Sequence, residues 1–257
     1  MFYVLLSLLF IYLLAILYLY FTQDSKIFNF DIVPKKVSKA TMDCKKCKSV
    51  QLVSEEATLD GVYKENGSNK LLMYFGGNSD DATEFVKYCD DLEEFDVVAF
   101  NYRGNALSDG KPSEEAIFKD SLKIYDTYAK DKEVYLVGRS LGSGVAVYLA
   151  SKREVKKLLL ITPYDSIENI AKEKYPFIPI SLLLKHKFNS LKYIKKVNAP
   201  VEIFLVLNDR TVTAQRSENL IKNIADISRV VVFDDTTHAD ILDSPRFKTE
   251  LKRWATA

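Results

Sequence analysis

Gly138-Arg139-Ser140-Leu141-Gly142 constrains this chain more than any other short stretch. The apolar run Val134-Tyr135-Leu136-Val137 leads into it, and the helix-compatible stretch Gly144 to Lys152 comes after it. This is Gly-x-Ser-x-Gly between a strand and a helix, a sharp turn that small residues on both flanks permit. The serine hydroxyl is then held out at the strand end with a helix N-terminus beneath it. Five letters alone also fit a plain strand-to-helix turn, so the remainder of the chain has to decide between a turn and a nucleophile.

Apolar runs of strand length recur around the motif: Leu71 to Phe75, Val97 to Tyr102, Val134 to Val137, Lys157 to Thr162, Val201 to Leu207 and Val230 to Phe233. Helical patterns alternate with them at Asp81 to Glu94, Ser113 to Lys130, Gly144 to Lys152, Ala214 to Ile224 and Asp240 to Trp254. Strands that are apolar almost throughout and separated by helices predict a mostly parallel sheet covered on both faces. Val50 to Val53 and Ala57 to Tyr63 read as an antiparallel lead-in. The stretch 165–198 breaks the alternation with Pro176, Pro179 and many lysines. It is expected to be a lid or cap at the carboxyl end of the sheet, or else a peripheral helix pair.

The first segment differs in kind. Phe2 to Phe21 carries no charge, and fourteen of its residues are Leu, Ile, Phe or Val. Twenty residues at helical rise cover about 30 Å, the thickness of a bilayer core. A cleaved signal peptide fits poorly, because there is no basic n-region and Tyr20-Phe21-Thr22-Gln23 offers no small-residue cleavage site. The chain therefore divides into a transmembrane anchor over 1–21, a basic juxtamembrane linker over 22–48 and a catalytic domain over 49–257. Lys26, Lys35, Lys36, Lys39, Lys45, Lys46 and Lys48 lie on the C-terminal side of the span. By the positive-inside rule the anchor is single-pass and the domain cytoplasmic. Lys plus Arg number 36 against 35 acidic residues, a net charge of +1, so no global field favours nucleic acid.

Three cysteines are too few for a disulfide framework. Cys44-Lys45-Lys46-Cys47 has metal-ligand spacing, but no second Cys or His pair lies nearby to complete four ligands. Reduced, inert thiols are expected there, with S-acylation or a redox pair as the alternatives, and Cys89 is expected in or near the core. No metal or organic cofactor is expected.

A serine hydroxyl is a weak nucleophile at neutral pH, so it needs a base within hydrogen-bond reach and a group that orients the base. The chain has two histidines. His238 comes a short loop after the last strand and is the expected base; His186, in the irregular region, is expected at the surface or in the lid. Asp209, just past Val201 to Leu207, is the expected orienting acid. It gives the chain order Ser140, Asp209, His238. Asp165 competes from an earlier strand end but is expected to cap a helix. An oxyanion hole needs two preorganised donors. The N–H of Leu141 supplies one, and after Tyr74-Phe75-Gly76-Gly77 the N–H of Asn78 is the expected second, with Gly77 as the alternative.

On these residues the chain from about Leu52 to its end resembles the α/β-hydrolases, and among them the membrane-anchored ABHD-type serine hydrolases. The resemblance rests on Tyr74-Phe75-Gly76-Gly77-Asn78, Asn101-Tyr102-Arg103-Gly104, Ser108 to Glu114, Gly138 to Gly144, Asp209 with Val212, and Thr237-His238, in that order and spacing. The departures are Gly76 where relatives commonly carry His, Thr213 for a usual Pro and Thr237 for a usual Gly. The resemblance implies an α/β-hydrolase fold and a carboxylesterase- or thioesterase-type enzyme acting on a small or lipid-like acyl substrate. A peptidase or lysophospholipase fits the same fold. A noncatalytic membrane-tethered binding module is the alternative from another class.

Overall fold

Alternation along single strands determines how this chain layers. The computed structural model describes residues 1–257 and contains eight strands: β1 (Cys47–Ser54), β2 (Ala57–Lys64), β3 (Lys70–Phe75), β4 (Asp96–Phe100), β5 (Glu133–Arg139), β6 (Lys157–Ile161), β7 (Val201–Val206) and β8 (Ile227–Phe233). In β3, Leu71, Met73 and Phe75 face one way, into a cluster with Ile117, Phe118, Val145 and Leu149. Leu72 and Tyr74 face the other way, toward Phe85, Phe247 and Trp254. A period of two on a strand buried on both sides requires helices on both faces.

The strands form one sheet in the order β1-β2-β4-β3-β5-β6-β7-β8. The pairs β1·β2 and β2·β4 are antiparallel, and every pair from β4·β3 to β7·β8 is parallel. The expected mostly parallel sheet with an antiparallel lead-in is observed. On one face lie α3 (Glu114–Tyr128), α4 (Leu141–Ala150), α7 (Ser190–Ile194) and α8 (Ala214–Ile221). A 3-10 segment, Ala82–Tyr88, and α9 (Pro245–Thr256) cover the other. The helical pattern read over Asp81 to Glu94 is thus realised only as this shorter, tighter segment.

The N-terminal helix α1 runs from Phe2 to Ile27, and none of its apolar window is buried by the rest of the chain. The stretch 28–46 is not a free linker. Phe28, Phe30 and Val33 are buried, with Phe28 against Phe188 and Phe30 stacked on Tyr102. A five-residue helix, α2 (Lys39–Asp43), is capped by the Ser38 hydroxyl, which accepts from Thr41 N–H. Lysines dominate this stretch in the sequence and hide its apolar spacing.

The expectation of free thiols at Cys44 and Cys47 is corrected: the two are joined in a disulfide. The turn from α2 into β1, in which Cys47 N–H donates to Cys44 C=O, brings the two Cα atoms to 5.3 Å. That separation is within disulfide range. Cys89 is the free cysteine, and burial pushes its thiol up to about 12.

The region 165–198 forms α5 (Ile167–Lys174), α6 (Ile180–Leu183) and α7, with loops between. Its α5 and α6 follow the carboxyl end of β6, whereas α7 packs beside α4 on a face of the sheet.

Candidate active site

The turn between β5 and α4 is forced by two missing side chains. A Cβ on Gly138 would collide with Gly142 C=O and Ala146, and one on Gly142 would collide with the carbonyls of Phe75 and Gly76. Ser140, between them, sits at φ +49°, ψ −118°. A non-glycine residue is rarely held there, at a cost of about 1–3 kcal/mol that the surrounding structure has to offset. Part of the restraint is the Ser140 N–H, which donates to Ile161 C=O at 2.9 Å.

Ser140 Oγ lies 2.9 Å from His238 Nε2, and His238 Nδ1 lies 2.6 Å from Asp209 Oδ2. The Asp209 side chain is 2% exposed, and its other oxygen accepts from the N–H groups of Thr211 (2.7 Å) and Val212 (2.8 Å). Two backbone donors therefore fix the carboxylate and leave one oxygen for the imidazole. An ionised carboxylate only accepts, so Nδ1 carries the proton and Nε2 is left to accept from Ser140. The structure thus brings together the three side chains expected from the sequence.

Leu141 N–H stands at the first position of α4, where no intrahelical acceptor exists. Gly142 packs directly on the Phe75 and Gly76 carbonyls, so the loop Gly76-Gly77-Asn78 lies against this helix N-terminus. Gly77 N–H donates to Asp80 Oδ2 at 2.7 Å. Of the two donors weighed for the second oxyanion position, Gly77 is already occupied and Asn78 is the one left.

Sequence reasoning passed over Arg139 and Asp80. Arg139 is 6% exposed; its Nη1 meets both Asp80 oxygens at 2.5 and 2.6 Å. Its Nη2 donates to the backbone carbonyls of His238 (2.8 Å) and Ala239 (3.1 Å). Burial alone would make the guanidinium easier to deprotonate, but the Asp80 charge outweighs it and holds the pKa above its ordinary value. One ion pair therefore ties the Asn78 loop to the His238 loop. Its members are 59 residues apart in sequence, and Arg139 occupies the variable position of Gly-x-Ser-x-Gly, so only the structure discloses it.

The remaining candidates lie elsewhere. Asp165 is fully buried and bonds to Arg216, Asn169 and Asn219, away from the imidazole. It does not cap α5: that position belongs to Ser166, whose hydroxyl accepts from Asn169 N–H, while Asp165 accepts from Ser166 N–H. His186 lies between Glu114 N–H (3.3 Å) and Asp24 (3.5 Å), at the junction of α1 with the loop between α6 and α7, and burial lowers its pKa.

A family model described as alpha/beta hydrolase fold matches residues 75–179, from the end of β3 to the loop before α6. An uncharacterized protein of Mycobacterium tuberculosis is 29% identical over 203 residues, 76% of this chain and 72% of that protein. The lysophosphatidylserine lipase ABHD12 of Bos taurus is 34% identical over 125 residues, 44% of this chain; this chain spans 31% of its length. Among solved structures, a membrane phospholipase A, described as a bacterial virulence factor, superposes with a TM-score of 0.68 at 13% identity. It covers 99% of this chain and 98% of its own, so the likeness in fold includes the N-terminal helix.

Proposed function

We propose that this chain, which has the α/β-hydrolase fold, is a membrane-tethered serine hydrolase of the ABHD type that cleaves acyl esters of lipid-like substrates through an acyl-enzyme on Ser140. The observation that carries this reading is the continuous hydrogen-bonded line from Asp209 through His238 to Ser140. In the proposed reaction Ser140 Oγ attacks the acyl carbonyl while His238 Nε2 takes its proton. The carbonyl oxygen gathers negative charge between the N–H groups of Leu141 and Asn78. The imidazolium, steadied by Asp209, then protonates the leaving alkoxide, and the C–O bond to it breaks. Water enters by the same steps in reverse, releasing the acid and restoring the serine.

A thioester differs only in its leaving group and would pass through the same intermediate. An ester lipid is preferred because the curated relative is a lysophosphatidylserine lipase and the structural neighbour a phospholipase. Two features bear on orientation and disagree. The seven lysines after the span favour a cytoplasmic domain, whereas a Cys44–Cys47 bond is the state of an oxidising compartment. The lysines carry more weight, since the bond closes a loop of only a few residues and its reduction would leave the sheet untouched. Protease added outside intact cells should then leave the domain uncut; cleavage there would reverse the orientation.

The test of the activity is turnover of a panel of acyl esters, thioesters and lysolipids by the detergent-solubilised full chain and by Ser140→Ala. The variant should lose roughly 10³-fold or more in kcat while remaining folded. Equal turnover by the two proteins would remove Ser140 from the mechanism.

A further inference from the structure

Ten consecutive residues of the cap, Tyr175 to Leu184, carry no charge, and lysines bracket them at 172, 174, 185 and 187. This is the flanking pattern of an element that leaves water for lipid and returns, with basic residues at the headgroup level. Phe177 and Leu182 on it are 85% and 87% exposed. Phe177 is bonded to α1 through its carbonyl, and the apolar window of α1 is uncovered too.

Two residues of α1 fix the segment along that helix. Gln23, the one buried residue of α1, grips the end of α6: its Nε2 donates to Leu183 C=O (3.2 Å) and its Oε1 accepts from Lys185 N–H (2.8 Å). Tyr12 Oη donates to Phe177 C=O at 2.8 Å. Tyr12 is near the middle of the uncharged run, about 14 Å of helix rise below Phe21. If α1 spans the bilayer, Phe177 cannot remain in water while bonded there.

Much of the hairpin's backbone is internally paired: five of its eight N–H groups, those of Tyr175, Ile178, Ile180, Leu182 and Leu184, donate within the cap, and Pro176 and Pro179 have none to satisfy. The hairpin and α1 enclose a cleft between them, lined by Leu19, Tyr20 and Ile27 of α1 and by Ile167, Ala171 and Ile178 of the cap. Ten of its twelve lining residues are hydrophobic, the others being Gln23 and Lys26, so the cleft suits a hydrocarbon chain. On its other side α5 reaches the Asp209 loop, where Glu173 meets Thr213 and Arg216.

We propose that the hairpin Tyr175 to Leu184 is embedded in the bilayer alongside α1, and that the cleft behind it receives an acyl chain of a bilayer lipid directly from the membrane plane. The inference rests on the reading of α1 as a membrane span and deepens the proposed lipid-ester activity.

The full chain is reconstituted in phosphatidylcholine vesicles with and without bromine on the acyl chains, carrying Phe177→Trp, Leu182→Trp or, as a control on the far edge of the sheet, Val232→Trp. The native Trp254 is buried and constant across the three. Emission from positions 177 and 182 should be quenched roughly twofold by brominated chains and that from 232 unaffected. Quenching of 177 and 182 by aqueous iodide and not by brominated lipid would overturn the embedding. This arm needs no catalysis, so it stands apart from any failure to find an ester substrate. For the cleft, Ala171→Trp should lower the ratio of turnover on a vesicle-borne long-chain ester to turnover on a water-soluble butyrate ester roughly tenfold. A ratio equal to that of the unsubstituted protein would remove the cleft from the acyl path.

Discussion

Replacing Arg139 by Met keeps much of its volume and removes its charge, which isolates the role of the ion pair beneath the site. The guanidinium makes two contacts with Asp80 and two with the backbone carbonyls of His238 and Ala239. Breaking a buried pair from one side costs about 3–5 kcal/mol. Here the Asp80 side chain remains 20% exposed and retains Gly77 N–H, so the loss belongs at the low end, about 3 kcal/mol. For a domain of this size that lowers Tm by roughly 6–12 °C. The catalytic effect is separate. Without the Nη2 contacts the His238 backbone is free to move, and a displacement of about 1 Å costs roughly 10²-fold in rate. Thermal unfolding monitored by circular dichroism and steady-state kinetics on the best ester of the panel read the two effects independently. Arg139→Met should lose stability and kcat with a smaller change in KM. The double variant Arg139→Met/Asp80→Asn should recover part of the stability, by removing the stranded carboxylate, and little of the kcat. A folded Arg139→Met with unchanged Tm and unchanged kcat would refute the reasoning.

Asp209→Asn should reduce kcat about 10⁴-fold through the wrong imidazole tautomer, whereas Asp165→Asn should act mainly on stability through its lost Arg216 contact; the opposite ranking in purified, folded variants would move the orienting role to Asp165. A chain starting at Val50 strips Phe28 and Phe30 from the core, each removal worth about 3–5 kcal/mol, so it should be much less stable to urea than one starting at Ile27; equal urea midpoints would contradict the packing described. Asp96 is held at about 2, below its usual 3.8. Its burial pushes the pKa up, but Lys132, Tyr63 and the N–H groups of Asn66 and Ser68 outweigh this. Its contribution, about 2 kcal/mol, is present in full above pH 4 and is lost as the pH falls toward 2. Urea midpoints of Asp96→Asn should therefore lie below those of the unsubstituted protein at neutral pH and converge on them near pH 2; a gap that widens on acidification would contradict the assignment.

The architecture was legible because its determinants are local. Apolar runs such as Leu71 to Phe75 and Leu158 to Ile161 are buried on both faces, and a period of two or a continuous run records that directly. Ser140, Asp209 and His238 were legible for a related reason: each stands just past the end of a strand, and parallel strands gather their carboxyl ends. Illegible features depend on distance in sequence. Arg139 reads as an arbitrary letter inside a motif until the fold sets it against Asp80 and the His238 carbonyl. Phe28 and Phe30 lie among lysines and look like linker until Phe188 and Tyr102 cover them. The Cys44–Cys47 bond depends on the turn angle between α2 and β1, which composition does not record. The uncharged hairpin 175–184 is visible in the sequence, but its meaning comes only with Tyr12 and Gln23 placed beside it.

The central claim is that Ser140 is a nucleophile activated by His238. It is tested most directly by treating the full chain with a fluorophosphonate and locating the adduct by peptide mass spectrometry. A single adduct is expected on the peptide containing Ser140, absent in Ser140→Ala and formed at least about 10³-fold more slowly in His238→Ala. An adduct on another residue, or labelling of Ser140 at an unchanged rate without the imidazole, would contradict the account.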